Sequence, residues 1–269
     1  MTQAIALIGF GEAGSTFAAA AGWGDSARAY DVDPARRAVM TQSGVLHALD
    51  PAEALLEATV CLCLVTADQA LAATKSAAAH LSPGALWCDM NSVAPETKRT
   101  AARVIAAAGG CYVDVAVLAP VEPARLSVPL LLSGPAADDA ATVLKALGFA
   151  NVRVIGTEVG QASAIKLIRS VMVKGIEALS AEMIAAAEAA GVAHEVLASL
   201  DASDKPLPWA AKVANSRERM AAHGLRRAAE MEEAAMLLCA LGVDPVMTRA
   251  TILRQRAAAA TPRPDEQAA

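Results

Sequence analysis

The fold of this chain is decided near its N-terminus by the stretch Ala4-Ile5-Ala6-Leu7-Ile8-Gly9-Phe10-Gly11-Glu12-Ala13-Gly14. An apolar run leads directly into the spacing Gly-x-Gly-x-x-Gly, and an alanine-rich helical segment follows. In this pattern the first glycine allows a tight strand-to-helix turn, the second lets the backbone approach a pyrophosphate, and the third lets helix and strand pack closely. The phosphates then bind N–H groups at the start of the helix. The stretch therefore predicts a dinucleotide cradle made of Gly9, Phe10, Gly11, Glu12, Ala13 and Gly14.

A carboxylate stands where this fingerprint expects one. The second apolar run ends at Asp31, and an acidic residue about twenty positions after the glycines accepts hydrogen bonds from the adenosine ribose. Asp31 favours NAD because it would repel the 2′-phosphate of NADP, whereas Arg36 and Arg37 would instead hold that phosphate as bidentate donors. We expect NAD as the cofactor, with NADP as the alternative if the arginine pair is more than the solvated start of a helix.

Composition excludes several classes of protein. With 269 residues, 55% of them hydrophobic, the chain has ample material for a core, and a net charge of −5 argues against nucleic acid or an anionic membrane surface as a partner. The five cysteines are odd in number and form no C-x-x-C pair, so neither a disulfide framework nor a zinc site is indicated. His47, His80 and His194 have no ligand-spaced partners, so we expect no metal site. A cytoplasmic protein without a signal peptide fits these features.

Short apolar runs alternate with helical patterns through the first half of the chain. We predict strands near residues 4–8, 27–31, 59–65, 85–89, 111–117 and 128–133. We predict helices near residues 12–21, 34–42, 67–79, 95–108 and 136–147. Proline at or near a first turn marks helix starts at Asp33-Pro34, Asp50-Pro51, Ala94-Pro95 and Gly134-Pro135. The predicted fold class is α/β, with a Rossmann-type, mostly parallel sheet.

After a last strand-like run at 151–156, residues 160–258 show only helical patterns. The first helix, over about 160–190, is long and rich in apolar residues, so we expect it to be buried on several sides. Breaks are expected at Gly191, Lys205–Pro208, His223–Gly224 and Gly242. The predicted organisation is therefore a dinucleotide-binding Rossmann domain at 1–158, an all-α substrate and oligomerisation domain at 159–258, and a frayed tail at 259–269.

Polar residues follow the strands at the sheet edge where such folds bind cofactor and substrate. Thr66 and Ala67 follow one strand, and Asn91 and Ser92 follow the next. We assign Thr66, Ala67 and Asn91 to the cofactor. Ser92 is assigned to the substrate or the nicotinamide, although a hydroxyl before Pro95 is also typical of a helix cap. Asp114, at the end of a further strand, is either a general base or, more commonly for such a carboxylate, an acceptor for backbone amides.

The order of these motifs resembles the β-hydroxyacid dehydrogenase family, which includes 3-hydroxyisobutyrate and tartronate semialdehyde reductases and is related to 6-phosphogluconate dehydrogenase. The resemblance is carried by the glycine motif, by Asp89-Met90-Asn91-Ser92-Val93-Ala94-Pro95, by the strand ending near Asp114, and by Gly160 followed six residues later by Lys166. It covers nearly the whole chain. It implies homodimers or higher homo-oligomers and a small-molecule substrate.

The resemblance also implies that Lys166 is catalytic, because the lysine of the last motif has that role in the family. Its neighbours Ile165, Leu167 and Ile168 are apolar, and partial desolvation lowers a lysine pKa from about 10.4. Lys166 would then donate a proton to a carbonyl oxygen during reduction, or accept one from a hydroxyl during oxidation. Without the resemblance, a lysine that extends from an amphipathic helix into solvent is the more common case.

Departures from the family pattern indicate a divergent branch. The family's Asp-Ala-Pro-Val-Ser-Gly-Gly is here Asp114-Val115-Ala116-Val117-Leu118-Ala119-Pro120, which makes the expected substrate pocket more apolar. Arg169 and Ser170 replace two asparagines that follow the family lysine. We assign Leu118, Ala119, Pro120, Arg169 and Ser170 to the substrate, with Arg169 meeting an anionic group. Trp209 is a further wall of the pocket, or else a packed indole in a proline-stiffened connection.

The sequence thus predicts an NAD(P)-dependent dehydrogenase or reductase that acts on a CH–OH group of a small, acidic metabolite by hydride transfer. Two alternatives stay open. The first is an imine reductase, which shares the architecture but usually lacks the lysine. The second is a catalytically inactive NAD(P)-binding sensor or scaffold, suggested by the changes at Leu118, Pro120 and Arg169.

Overall fold

A computed structural model describes residues 4–203 and 206–260 of the chain. The chain forms two compact units, one extending to Ser170 and the other beginning at Val171. Residues 261–269, which make up most of the predicted frayed tail, lie outside the described residues, as does Lys205. The functional domains predicted at 1–158 and 159–258 stay a prediction.

The first unit is built on an eight-stranded sheet with the order β3-β2-β1-β4-β5-β6-β7-β8. Its strands are β1 (Ile5–Ile8), β2 (Ala27–Tyr30), β3 (Leu46–His47), β4 (Val60–Cys63), β5 (Leu86–Asp89), β6 (Cys111–Val117), β7 (Leu130–Ser133) and β8 (Val152–Gly156). All neighbouring strands are parallel except β6 and β7, which are antiparallel. The order reverses between β1 and β4, so the carboxyl ends of these two strands form the crevice where such sheets bind ligands.

Helices cover both faces of the sheet. Those of the first unit are α1 (Glu12–Ala21), α2 (Arg36–Gln42), α3 (Pro51–Leu55), α4 (Ala70–Ala78), α5 (Pro95–Ala107) and α6 (Ala137–Ala146). The buried apolar side chains form two main clusters, because central strands such as β1 and β4 are buried at every position. A strand covered on both faces needs an apolar residue at each position rather than at alternate ones. The predicted α/β fold class is confirmed.

Two features of the sheet differ from the predicted pattern. The antiparallel pairing of β6 and β7 arises because their connection contains only a short 3-10 turn, Arg125–Ser127, and not the helix that a parallel crossover requires. Strand β3 was not predicted, since it has two residues and both are exposed. The helix start predicted at Asp50-Pro51 is confirmed, because the Asp50 carboxylate accepts a hydrogen bond from the Glu53 amide at 2.8 Å.

The described part of the second unit is helical. It contains most of α7 (Gln161–Ala189), whose first turns belong to the first unit, together with α8 (Ala193–Ser203), α9 (Trp209–Ala240) and α10 (Val246–Ala259). The helix break predicted at His223–Gly224 is wrong, because α9 runs through both residues. A Cβ at Gly224 would lie 2.3 Å from the Gln255 carbonyl oxygen, so this glycine lets α9 and α10 approach closely instead of ending a helix.

The expectation that α7 is buried on several sides is also wrong for the single chain. Its large apolar side chains are exposed at Ile165, Ile168, Val171, Met172, Val173, Ile176 and Leu179. A long row of exposed apolar residues usually marks a surface that binds another molecule or another copy of the chain. Among the helices that the structure describes, none combines the length and the apolar content needed to cross a lipid bilayer.

Within the second unit, Glu182 of α7 caps the first turn of α10. One carboxylate oxygen accepts a hydrogen bond from the Met247 amide at 2.6 Å, and the other accepts from the Thr248 amide at 2.8 Å and the Thr248 hydroxyl at 2.6 Å. A helix N-terminus favours a negative charge. Although burial opposes ionisation, these hydrogen bonds outweigh it and lower the pKa of Glu182.

We expect Glu182→Gln to destabilise the second unit by about 1 kcal/mol, the usual loss when a helix cap is weakened. A carboxylate with a lowered folded-state pKa stabilises the fold above its unfolded pKa of about 4.3, and this stabilisation is lost as pH falls through the folded pKa. The difference in Tm between the two proteins, measured by circular dichroism, should therefore persist at pH 7 and shrink below about pH 4. The exposed Glu177→Gln on the same helix is the control, and an equal effect of both substitutions would contradict the capping role.

Candidate active site

The glycine motif forms a tight turn at the carboxyl end of β1. Gly9 has a φ of +93°, and a Cβ there would lie 2.4 Å from the Leu64 carbonyl oxygen. Gly14 packs α1 against the same turn, since a Cβ would lie 2.9 Å from the Gly9 carbonyl oxygen. Gly11, by contrast, would meet no described atom within 4 Å. The first and third glycines are thus required by packing, whereas the space at the second is open toward the position that a pyrophosphate takes in such cradles.

A cavity of about 410 Å³ opens beside this turn. It is lined by Gly9, Gly11, Asp31, Arg36 and Thr66, among others. The Asp31 carboxylate accepts hydrogen bonds from the Phe10 amide at 2.7 Å and the Asp33 amide at 2.9 Å, which fixes it at the rim. Arg36 faces the same cavity, and its Nε lies 3.7 Å from the Asp33 carboxylate. The open glycine and the fixed carboxylate fit the pyrophosphate and adenosine ribose of a dinucleotide. Arg37 is exposed and does not line this cavity.

A second cavity, of about 330 Å³, lies on the other side of the β4 end. It shares Leu64, Val65 and Thr66 with the first cavity and adds Ala13, Ala67, Met90, Asn91 and Ser92. Asn91 is buried, and its carboxamide oxygen accepts a hydrogen bond from the Val65 amide at 2.7 Å. Asn91 therefore ties the ends of β4 and β5 together, and its predicted contact with cofactor stays a prediction. Glu12 is exposed at the start of α1.

The structure brings Lys166 and Ser92 together. The Lys166 ammonium donates a hydrogen bond at 2.5 Å to the hydroxyl of Ser92, which lines the second cavity. Ser92 does not cap α5, because Ala94 takes that position. Lys166 is half-buried on the second turn of α7, where Ile165 and Ile168 are exposed. The predicted apolar enclosure of the lysine by these two neighbours is therefore not present in the single chain.

Most of the remaining predicted substrate residues belong to the first unit, and Trp209 belongs to the second. Arg169 donates a hydrogen bond from Nη1 to the Leu118 carbonyl oxygen at 3.0 Å, which joins α7 to the segment after β6. Ala119 and Pro120 follow in that segment and are exposed. The Ser170 hydroxyl donates to the Lys166 carbonyl oxygen at 2.9 Å, within α7 itself. Trp209 begins α9 in the second unit, is exposed, and has the Lys212 ammonium 5.6 Å from its ring centroid, so its substrate contact stays a prediction.

A buried ionic cluster at the carboxyl edge of the sheet was not predicted. Lys98 of α5 is fully buried, and its ammonium donates to the Asp89 carboxylate at 2.9 Å and the Asp89 carbonyl oxygen at 2.6 Å. The same ammonium lies 3.4 Å from the Asp114 carboxylate. Tyr112 donates its hydroxyl to Asp89 at 2.7 Å. Burial, reinforced by the charge of Asp89, raises the pKa of Tyr112 far above its usual value, so its hydroxyl stays a donor.

Asp114 has the backbone-binding role that the sequence left open. Its second carboxylate oxygen accepts hydrogen bonds from the Gly160 amide at 3.1 Å, the Ser163 amide at 3.0 Å and the Ser133 hydroxyl at 3.2 Å. The side chain is fully buried, so it is not placed to act as a general base on a substrate. Instead it holds the N-terminus of the helix that carries Lys166.

One signal of this cluster was present in the sequence. Asp89 and Asp114 lie on predicted neighbouring strands, and the structure pairs them directly across β5 and β6. The expectation that Asp114 ends its strand is wrong, because β6 continues to Val117. Two carboxylates buried side by side require a cation. Which lysine supplies it was not predictable, because Lys98 lies in a helix with enough polar residues to be taken as solvated. Nearby, burial raises the pKa of Cys63 and of Cys88 to about 12, so both thiols are protonated and unreactive at neutral pH.

A glycine cradle at the switch point of a parallel sheet, with a fixed carboxylate at the rim, defines a class: proteins that bind a dinucleotide cofactor. Comparison with known families agrees. Residues 4–160 match the NAD binding domain of 6-phosphogluconate dehydrogenase, and residues 187–258 match a domain of unknown function. The chain belongs to this β-hydroxyacid dehydrogenase-like family of NAD(P)-dependent oxidoreductases, as its motifs predicted.

Solved structures extend the comparison over the whole chain. A conserved hypothetical protein from Sinorhizobium meliloti 1021 is 40% identical, with 98% of this chain and 91% of that chain covered and a TM-score of 0.63. A conserved protein of unknown function, described as structurally similar to 3-hydroxyacid dehydrogenases, is 28% identical and has a TM-score of 0.62. That comparison covers 94% of this chain and 96% of the other chain. An imine reductase from Myxococcus stipitatus in complex with NADP+ shares the fold at 19% identity, with a TM-score of 0.78. That comparison covers 94% of this chain and 93% of the imine reductase. No curated protein matches the chain.

We expect Gly11→Ala to weaken NADH binding by at least about ten-fold, because the added methyl group enters the space of the pyrophosphate. Its Tm should stay within about 3 °C of wild type, because the new Cβ meets no described atom within 4 Å. Calorimetric titration and thermal unfolding check both values. Gly175→Ala, at an equally open position in α7, is the control and should bind NADH normally. Unchanged affinity in Gly11→Ala would contradict the location of the cradle.

Proposed function

We propose that the protein is an NAD-dependent dehydrogenase or reductase that interconverts a hydroxyl and a carbonyl group on a small, acidic metabolite. The observation that carries this proposal is the hydrogen bond between the Lys166 ammonium and the Ser92 hydroxyl, at the cavity next to the dinucleotide cradle. A primary amine at this place is a proton donor or acceptor beside the position of a hydride carrier.

When bound in the cradle, NAD(H) would supply or accept the hydride. The residues of the chain then have three tasks. The Lys166 ammonium donates its proton to the carbonyl oxygen that becomes the hydroxyl, and in oxidation the neutral amine accepts that proton. Ser92 orients the ammonium through their shared hydrogen bond and is a second ligand for the reacting oxygen. The glycine turn and Asp31 set the position of the dinucleotide relative to both.

Arg169 supports an acidic substrate. It lies three residues after Lys166, so the two side chains are neighbours on α7. Its hydrogen bond to the Leu118 carbonyl oxygen uses one nitrogen of the guanidinium and fixes the orientation of the group. The other N–H groups of a guanidinium are suited to bind a carboxylate. Leu118 adds apolar surface next to it. In this proposal Arg169 takes the anchoring task for which the related family uses asparagines and glycine amides.

The proposed preference for NAD rests on charge. Asp31 is held at the rim of the first cavity, where its carboxylate would bind the ribose hydroxyls of NAD and repel a 2′-phosphate. Arg36, the residue that would attract this phosphate, lies beside Asp33, whose carboxylate offsets its charge.

We also propose that the exposed apolar row of α7, from Ile165 to Leu179, is covered by a second copy of the chain in a homodimer.

The imine reductases that share this fold supply the second candidate reaction, in which the same ammonium would face an imine nitrogen. We expect Lys166→Met to lower kcat by at least about 100-fold on any carbonyl substrate found among 3-oxo acids and semialdehydes, the scale of lost general acid catalysis. Cyclic imines in the same panel test the second candidate. Oxidation of NADH followed at 340 nm is the measurement. Lys174→Met, an exposed position on the same helix, is the control.

Turnover that is unaffected by Lys166→Met would contradict the mechanism. Activity confined to imines would favour the second candidate. NADH binding without turnover of any member of the panel would favour a sensor that has the cradle but no reaction.

We expect the wild-type protein to bind NADH at least about ten-fold more tightly than NADPH, a difference of about 1.4 kcal/mol. Asp31→Asn removes the charge but keeps an acceptor for the Phe10 amide, so this ratio should fall mainly because NADPH binds better. Fluorescence titration with both cofactors gives the ratio. Asp25→Asn, exposed and remote from the cavity lining, should leave it unchanged. Tighter binding of NADPH by the wild type would reverse the assignment.

A further inference from the structure

The buried cluster of Asp89, Lys98 and Asp114 connects the two segments that present the candidate catalytic groups. We propose that Lys98 is a positioning residue, whose ammonium holds the Ser92 segment and the Lys166 helix in register with each other. This inference rests on the proposed function, because it takes the Lys166–Ser92 pair as the site of proton transfer.

The first connection runs from Lys98 through Asp89 to Ser92. The Asp89 carboxylate oxygen that accepts from Lys98 also accepts from the Asn91 amide at 2.9 Å and from the Asn91 carboxamide at 2.8 Å. Lys98 in addition binds the Asp89 carbonyl oxygen at 2.6 Å. These bonds fix the backbone immediately before Ser92, in a segment that belongs to no strand or helix.

The second connection runs from Lys98 through Asp114 to Lys166. One oxygen of Asp114 lies 3.4 Å from the ammonium, and the other accepts from the amides of Gly160 and Ser163. Ser133 reinforces this contact, because its hydroxyl donates to Asp114 and accepts from the Ala162 amide at 3.1 Å. Lys166 lies three residues after Ser163, less than one turn along the helix. Any shift of this helix start therefore moves the Lys166 ammonium.

The ammonium is required because the two carboxylates are direct neighbours across β5 and β6, with 1% and 0% exposure. Without the ammonium, these two charges would repel each other, and the repulsion is strong in a site that water does not reach. Carboxylates that move apart lose the distances and angles of their hydrogen bonds to the amide groups. Buried ion pairs seldom add net stability compared with apolar packing. We therefore attribute the three charged groups in this core to positioning and not to stability.

Amide hydrogen exchange followed by mass spectrometry tests the proposal on the full-length chain with and without NADH. In Lys98→Met we expect exchange to become at least about ten-fold faster in both segments, residues 89–94 and 158–166, as local opening becomes easier. Exchange in β1 and β2 should stay within about two-fold of wild type, as should the Kd for NADH. Where a substrate has been identified, kcat should fall by about 30-fold or more with KM nearly unchanged.

Two matched variants complete the experiment. Lys145→Met, at an exposed position of α6, should change neither segment. If Lys98→Met does not fold, Asp89→Asn combined with Lys98→Met removes one carboxylate together with the ammonium. Its 158–166 segment should still exchange faster than in Asp89→Asn alone.

Faster exchange throughout the sheet would mean that Lys98 only stabilises the fold, and it would overturn the proposal. Faster exchange in one segment alone, or in neither, would do the same. These readouts need no turnover. A protein that proves inactive on every substrate would refute the proposed reaction, while the exchange data would still decide whether Lys98 couples the two segments.

Discussion

The ammonium of Lys98 between the carboxylates of Asp89 and Asp114 is the interaction on which the arrangement of the site depends. Asp89 fixes the segment before Ser92, and Asp114 holds the first amides of α7. Both contacts involve groups that are buried almost completely, where electrostatic interactions are strong and unpaired charges are costly. We therefore propose that this cluster sets the distance between the Lys166 ammonium and the Ser92 hydroxyl.

A second constraint, steric rather than electrostatic, acts at the glycine turn. Because Gly9 and Gly14 carry no Cβ, the turn after β1 can lie against Leu64 at the end of β4, and α1 can pack against that turn. Asp31 is held there by an amide of the same turn. The two cavities are connected through the β4–α4 segment, whose residues Leu64, Val65 and Thr66 line both of them.

Much of the first unit could be predicted from the sequence, because its signals are local. The glycine spacing, the apolar strands and the prolines at helix starts each depend on neighbours in the chain. Features that depend on distant residues could not be predicted in the same way. Gly224 looks like a helix break until α10 is known to pack against it, and Lys98 looks solvated until Asp89 and Asp114 are known to be paired. The antiparallel β6–β7 pair depends on the absence of a helix between them, which a list of apolar runs does not show.

The catalytic role of Lys166 stays a prediction that rests on the resemblance, and its hydrogen bond to Ser92 supports that prediction. A crystal structure of the protein with NAD+ tests this claim most directly. We predict that the Lys166 ammonium and the Ser92 hydroxyl lie beside the nicotinamide ring, with Nζ about 6 Å or less from C4, which leaves room for a reacting carbon about 3.5 Å from C4 and its oxygen about 3 Å from Nζ. A nicotinamide bound with C4 more than about 10 Å from Nζ, too far for one small substrate to bridge, would contradict the account.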